Sequence, residues 1–159
     1  MNTYIIPSIG RETIKRTIES IENEDPTSEI LVCKGGTAGE NRNLGLEDVN
    51  GEWIFFIDDD DFYSPGYLSE IDDSLDIVVF RMMQHGRVIP RYEDERLVEG
   101  NVGINFAIKK SFYEKLNVKF INLPIAEDWE FLKQYLQINP NVKITKDIYY
   151  NAPVANHLS

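Results

Sequence analysis

A single cysteine, Cys33, leaves no internal disulfide available, and such sparing use suggests a reducing, cytoplasmic compartment. No stretch approaches the ~20 apolar residues that cross a bilayer, so no membrane span is expected. The opening Met1-Asn2-Thr3-Tyr4-Ile5-Ile6-Pro7 has neither a basic start nor a long apolar core, and it does not read as a signal peptide. Basic residues are scarce: 16 Lys and Arg stand against 27 Asp and Glu, for a net charge of −11. Nucleic acid and anionic membrane are recognised by clustered cations, so neither is an expected partner. There is no internal repeat and no low-complexity tract beyond one run of aspartates. The chain also lacks the Gly-Lys-Ser/Thr phosphate loop and the dinucleotide-binding fingerprint.

What is present suits a packed domain. Hydrophobic residues make up 42% of the 159, with 8 Tyr, 8 Phe and 2 Trp, which excludes a disordered chain. The length matches one domain. Its focus is Trp53-Ile54-Phe55-Phe56-Ile57, an apolar run that stops at Asp58-Asp59-Asp60-Asp61. The run reads as a strand buried on both faces, with the acids at its carboxyl end, where open α/β sheets bind ligands. Four adjacent carboxylates repel one another unless a cation balances them, which points to a divalent-metal site for a phosphorylated ligand. A plainer reading stays open, in which the acids form a solvated turn capping a helix at Ser64-Pro65.

The remaining elements follow from periodicity. Tyr4-Ile5-Ile6 is a strand, and Ile14, Ile18 and Ile21 form one stripe of a helix. Ile30 to Cys33 is a second strand, and Lys34 to Gly39 a Gly-rich loop that serves either as a ligand-facing turn or as a flexible connection. A short helix is expected over Glu40 to Val49, and Asn50-Gly51 marks the turn before the central strand. Leu68 and Ile71 are the buried side of the helix expected after Ser64-Pro65, and Ile77 to Phe80 is a strand. Gln84 to Gly100 is a hairpin or loop covering a sheet edge. Val102 to Ile108 is apolar, Lys109 to Leu116 a short helix, and Glu127 to Ile138 a helix burying Phe131, Leu132, Tyr135 and Leu136. Val142 to Ile144 and Ile148 to Tyr150 form a last strand or hairpin. The opening βαβαβ predicts an α/β domain with a mainly parallel central sheet flanked by helices.

Five segments, in order, resemble the family 2 glycosyltransferases of the GT-A fold. Tyr-Ile-Ile-Pro-Ser at 4–8 and Glu-Ile-Leu-Val-Cys at 29–33 are similar to that family's first two strands. Asn-Arg-Asn-Leu-Gly-Leu at 41–46 resembles its Arg-Asn-x-Gly element, Ile-Asp-Asp-Asp-Asp at 57–61 its Asp-x-Asp motif, and Glu-Asp-Trp-Glu-Phe at 127–131 its Glu-Asp helix start. The likeness implies a single GT-A (Rossmann-like) domain in which about residues 1–100 bind the nucleotide-sugar and about 101–159 carry the acceptor side and the base.

It further implies a nucleotide-sugar donor, a divalent cation (Mn or Mg), and inverting transfer to the hydroxyl of a sugar, glycan or lipid-linked acceptor. By position, Pro7, Ser8, Arg11, Arg42 and Asp58 would meet the nucleotide, while Asp60 and Asp61 would hold the metal. Asp128 would be the general base and Glu127 would help hold the acceptor. Asp59, by strand alternation, would point away from the site. Where the family usually has a base-reading Asp, this chain has Cys33-Lys34, so the nucleotide stays open. His157 is either a further metal ligand or part of a free tail. Trp129, Tyr149 and Tyr150 are core residues or sugar-stacking platforms. Two other readings fit the same residues: a non-catalytic nucleotide-sugar-binding module, and a phosphohydrolase with an aspartate nucleophile. The second meets Phe62 where that chemistry places a small hydroxyl or aliphatic residue.

Overall fold

Trp53–Phe56 forms the central strand β3, and all four of its residues are buried. The strand period of two sends Phe55 and Phe56 to opposite faces, and each nucleates an aromatic core. Phe55 stacks on Tyr4 at 4.4 Å between ring centroids and meets Tyr63, Tyr67 and Phe80. Phe56 meets Phe106, Phe120 and Phe131 within 5.8 Å on the other face. A computed structural model describes residues 1–153 of the chain, so His157 lies outside the described residues.

The order is β1 (Thr3–Pro7), α1 (Ile14–Glu22), β2 (Glu29–Cys33), α2 (Ala38–Glu47), β3, β4 (Phe62–Tyr63), a 3-10 turn (Tyr67–Glu70), β5 (Ile77–Gln84), β6 (Arg87–Ile89), β7 (Phe106–Lys109), α3 (Lys110–Tyr113), α4 (Glu127–Leu136) and β8 (Val142–Ala152). The sheet runs β2-β1-β3-β7-β5-β8-β4, with β6 also paired to β5. β1, β2 and β3 are parallel to one another, as are β5 and β8. β7 is antiparallel to both β3 and β5, so those five strands share one direction, while β4, β6 and β7 run against their neighbours in four of the seven pairings among the described residues and the sheet is mixed. The carboxyl-terminal half of the chain is therefore not a separate layer: β7 is inserted into the middle of the sheet.

Local chemistry explains where expectation and structure part. α2 starts at Ala38 rather than Glu40, because Thr37 and Glu40 make a reciprocal capping box of 3.2 Å and 2.9 Å hydrogen bonds. It packs against β1 through Gly45, where an added Cβ would fall 2.7 Å from Ile5 Cγ2. Ser64-Pro65 does not open a helix. Ser64 N donates to Tyr149 O and extends the β4–β8 ladder, while the Glu24 carboxylate accepts from Gly66 N and Leu68 N and leaves room only for the 3-10 turn. Residues 84–100 do contain a hairpin: His85 and Gly86, both at positive φ, turn β5 into β6. The two apolar pieces at 142–150 are one strand, continuous beside β5 across an irregularity between Val79 and Met82.

Candidate active site

β1, β2 and β3 end at one edge of the sheet, and the loops that leave them converge there. They enclose a cleft of about 220 Å³ lined by Pro7, Ser8, Ile9, Arg11, Gly36, Ala38, Asn41, Asp58, Asp59 and Asp60. Pro7, Ser8, Arg11 and Asp58, expected beside a nucleotide, all lie in this wall. The Gly-rich loop is pinned rather than flexible, since Asn41 donates to Gly36 O and accepts from Gly36 N, both at 3.1 Å. Asp59, expected to point away from the site, lies in the cleft wall instead. It is buried and accepts from Ser8 Oγ and Ile9 N at 3.0 Å, locking the β1 loop to the aspartate run. Cys33 is half-buried, and burial pushes its thiol up, away from nucleophilic chemistry.

The aspartate run is a tight turn, with Asp61 N donating to Asp58 O at 3.1 Å. Residues from the start of α1 hold it from outside: Thr13 Oγ1 donates to Asp59 O, Arg16 Nη2 to Asp60 O and Thr17 Oγ1 to Asp61 O. Fixed this way, Asp58, Asp60 and Asp61 present carboxylate oxygens within 4.8 Å of one another. Arg11 pairs with Asp60 at 2.5 Å and Arg42 with Asp58 at 2.8 Å. Asp61 has no basic partner among the described residues. It accepts from the Tyr150 hydroxyl at 2.6 Å, and burial together with the charges of Asp58 and Asp60 pushes its carboxyl up to about 9. Three clustered carboxylates are a set of hard oxygen donors that could hold a divalent cation. The acids do not cap an α-helix at Ser64-Pro65, where only the 3-10 turn forms.

The second acidic pair arrives from far along the chain. Glu127 and Asp128 open α4, whose preceding residue Ala126 has φ 62° and whose N-terminus has no side-chain cap. Arg42 lies between the two clusters, with Nη2 on Asp58 and Nη1 on Glu127 at 3.1 Å. Its side chain is only 5% exposed, so this is a buried bridge and not a surface ion pair. It takes that bridging place instead of lining the cleft. Asp128 Oδ1 accepts from Trp129 N at 2.8 Å. Burial raises the Asp128 carboxyl above its ordinary range, with a further push from Asp58, and burial raises Glu127 as well.

Tyr150, read from the sequence as a core residue or a sugar-stacking platform, has a different role here: it braces the aspartate run. Its hydroxyl reaches both ends of the run, donating to Asp61 and accepting from Asp58 N at 3.3 Å. In the sequence it is one aromatic in an apolar strand, and nothing nearby signals a bond to a residue 89 positions earlier.

The sequence profile of the family described as "Glycosyl transferase family 2" matches residues 34–132, more than half of the chain, from the Gly-rich loop through α4. The chain belongs to that family. Poly(ribitol-phosphate) beta-N-acetylglucosaminyltransferase TarP of Staphylococcus aureus strain N315 is 27% identical over 81% of this chain and 47% of its own length. The chain thus spans about half of that relative. Among solved structures, S. aureus TarS 1-349 in complex with UDP-GlcNAc superposes with a TM-score of 0.78 at 20% identity, covering 96% of this chain and 58% of that one. The mannosyltransferase PcManGT from Pyrobaculum calidifontis in complex with GDP-Man and Mn2+ gives 0.68 at 13% identity, covering 98% of this chain and 57% of that one. These likenesses establish the GT-A fold. Among the described residues no helix is long and apolar enough to cross a membrane.

Proposed function

We propose that this chain is a nucleotide-sugar glycosyltransferase core that transfers a sugar with inversion to an acceptor hydroxyl. One observation carries the reading: Asp58 and Glu127, 69 positions apart in the sequence, share the Arg42 guanidinium, so the aspartate run and the start of α4 form one site. Residues 1–100 supply the donor cleft, and Asp128 from the remainder supplies the base. Pro7, Ser8 and Arg11 border the nucleotide. Asp60 and Asp61, joined by Asp58, would hold a divalent cation, which when bound neutralises charge on the departing nucleoside diphosphate.

Asp128 takes the proton of the acceptor hydroxyl as that oxygen bonds to the anomeric carbon and the bond to the diphosphate oxygen breaks. A single displacement of this kind inverts the anomeric centre and needs no covalent nucleophile. The buried setting that raises Asp128 brings it closer to a useful working range for a base. An aspartate-nucleophile phosphohydrolase would require Asp58 free to attack, whereas Arg42 holds it.

Calorimetric titration with UDP, GDP and their sugar conjugates, with and without Mn2+, tests this reading. Metal-dependent binding that Asp60→Ala abolishes supports the donor site. Absence of metal-dependent affinity for every nucleotide would sink the transferase. Binding without transfer or donor hydrolysis would leave a nucleotide-sugar-binding module.

A further inference from the structure

Three residues of one α2 face, Gly39, Arg42 and Asn43, engage the segment that delivers Asp128. Their i, i+3, i+4 spacing places them on the same side of the helix. Asn43 pins Phe120 in both directions, accepting from Phe120 N at 2.7 Å and donating to Phe120 O at 2.8 Å. Phe120 in turn lies under the Arg42 guanidinium, 5.4 Å from its centre, and stacks on Phe131 of α4 at 4.1 Å. Arg42 holds Glu127 Oε1. Gly39 completes the fit: a Cβ there would sit 2.8 Å from Glu127 Oε2, so only glycine admits that carboxylate.

We infer that this face of α2 is a socket for Glu127 and that Glu127 is a positioning residue for Asp128 rather than an acceptor contact. α4 needs such external support. It begins without a side-chain cap and follows a non-glycine residue at positive φ, so nothing local fixes the direction in which its first turn points. The Glu127 carboxylate, drawn between Arg42 and Gly39, fixes it. Asp128 is the next residue, and its Oδ1 is tied to Trp129 N of the same turn, so its orientation follows the seating of Glu127. The inference rests on the reading of Asp128 as the base.

Gly39→Ala is the sharp test, since it inserts a methyl group where Glu127 Oε2 sits but leaves every charge in place. Alanine suits a helix, and the displaced atom is the end of a flexible chain, so the fold survives. Two measurements on the full chain are compared for wild type, Gly39→Ala, Glu127→Ala, Glu127→Gln and the Gly39→Ala/Glu127→Ala double variant. The first is hydrogen exchange of amides in 126–131, and the second is Mn2+-dependent hydrolysis of UDP-GlcNAc beside calorimetric affinity for UDP.

Gly39→Ala and Glu127→Ala should each accelerate exchange roughly tenfold. They should lower kcat by about ten- to a hundredfold while UDP affinity holds; Tm should hold in Gly39→Ala and fall in Glu127→Ala, which takes one carboxylate from the buried Arg42 guanidinium. Glu127→Gln, still able to accept from Arg42, should recover much of both. The double variant should be no worse than Glu127→Ala alone. Unchanged exchange in Gly39→Ala and Glu127→Ala overturns the socket, as does unchanged hydrolysis in Glu127→Ala. If wild type turns over no UDP-GlcNAc, that result counts against the proposed transfer, and the exchange measurement still decides the socket.

Discussion

The Tyr150 hydroxyl sits 2.6 Å from Asp61 Oδ2 and joins the strand β8 to the acid of the aspartate run that, among the described residues, has no cation beside it. Because the phenol donates to the carboxylate, it favours the ionised form and opposes the push of burial and of Asp58. Tyr150→Phe removes that donor and leaves Asp58 N without its acceptor. The expected result is a loss of about 1–2 kcal/mol in stability and a fall in Mn2+ affinity of roughly tenfold. Chemical denaturation and metal titration check the two effects separately.

The same carboxylate sets a pH dependence. Asp61, Asp128 and Glu127 are all raised in the folded protein, so the fold binds more protons than the unfolded chain, and stability without metal falls as pH rises. For Asp61 the decline extends from the ordinary carboxylate range to about 9. Thermal unfolding in chelator should show Tm dropping between about pH 5 and pH 9, with Mn2+ restoring more stability at the upper end than at the lower. Asp61→Asn should flatten the slope and abolish the Mn2+ response. A slope that rises with pH would contradict the assignment.

Asp128 should separate chemistry from binding. Asp128→Asn keeps the shape and hydrogen-bonding reach of the side chain, so Mn2+-dependent UDP affinity should stay at the wild-type value. Turnover should fall by roughly 10²–10⁴, the range supplied by a positioned base. In wild type, turnover should climb with pH through a range above that of an ordinary carboxyl, because burial raises Asp128 and only its ionised form accepts a proton. That limb should vanish in Asp128→Asn. Turnover within a few-fold of wild type would place the base elsewhere.

The parts of this molecule that can be read along the chain are those set by near neighbours in sequence. The Ile14, Ile18 and Ile21 stripe and the apolar run at Trp53–Phe56 each carry their own periodicity, and the structure repeats them, whereas Asn50-Gly51 makes only a bend in which Gly51 is set by its close approach to the Thr3 backbone. Thr37 and Glu40 carried a capping box three residues apart, a local signal that places the start of α2 earlier than apolar spacing does. Other features depend on residues that only folding brings together. Glu24 takes over the amides that Ser64 was expected to cap, and Phe62–Tyr63 becomes a strand because Tyr150 and Asn151 lie beside it. Asp58, Asp60 and Asp61 were legible as a group, but their different charge balances were not. Those come from Arg11, Arg42 and Tyr150, which arrive from three separate elements.

Arg81 offers a stability test away from the site. It is a β5 residue only 1% exposed, and its guanidinium donates to Thr145 O at 3.0 Å, to Pro90 O and to Glu95, with the Tyr92 ring 4.0 Å away. These contacts tie the hairpin excursion after β5 to β8. Glu95 is half exposed, so solvent screens the ion pair and most of the stabilisation comes from the two buried carbonyls. Arg81→Leu leaves both without a donor and should cost about 3 kcal/mol, seen as a Tm lower by roughly 6–12 °C. Arg96→Ala, which removes an exposed pairing with Asp94, should leave Tm unchanged. Should Arg81→Leu unfold within about 1 kcal/mol of wild type, the cost of burying the guanidinium would nearly equal what its hydrogen bonds return, as happens when a buried charge is replaced by a well-packed apolar side chain.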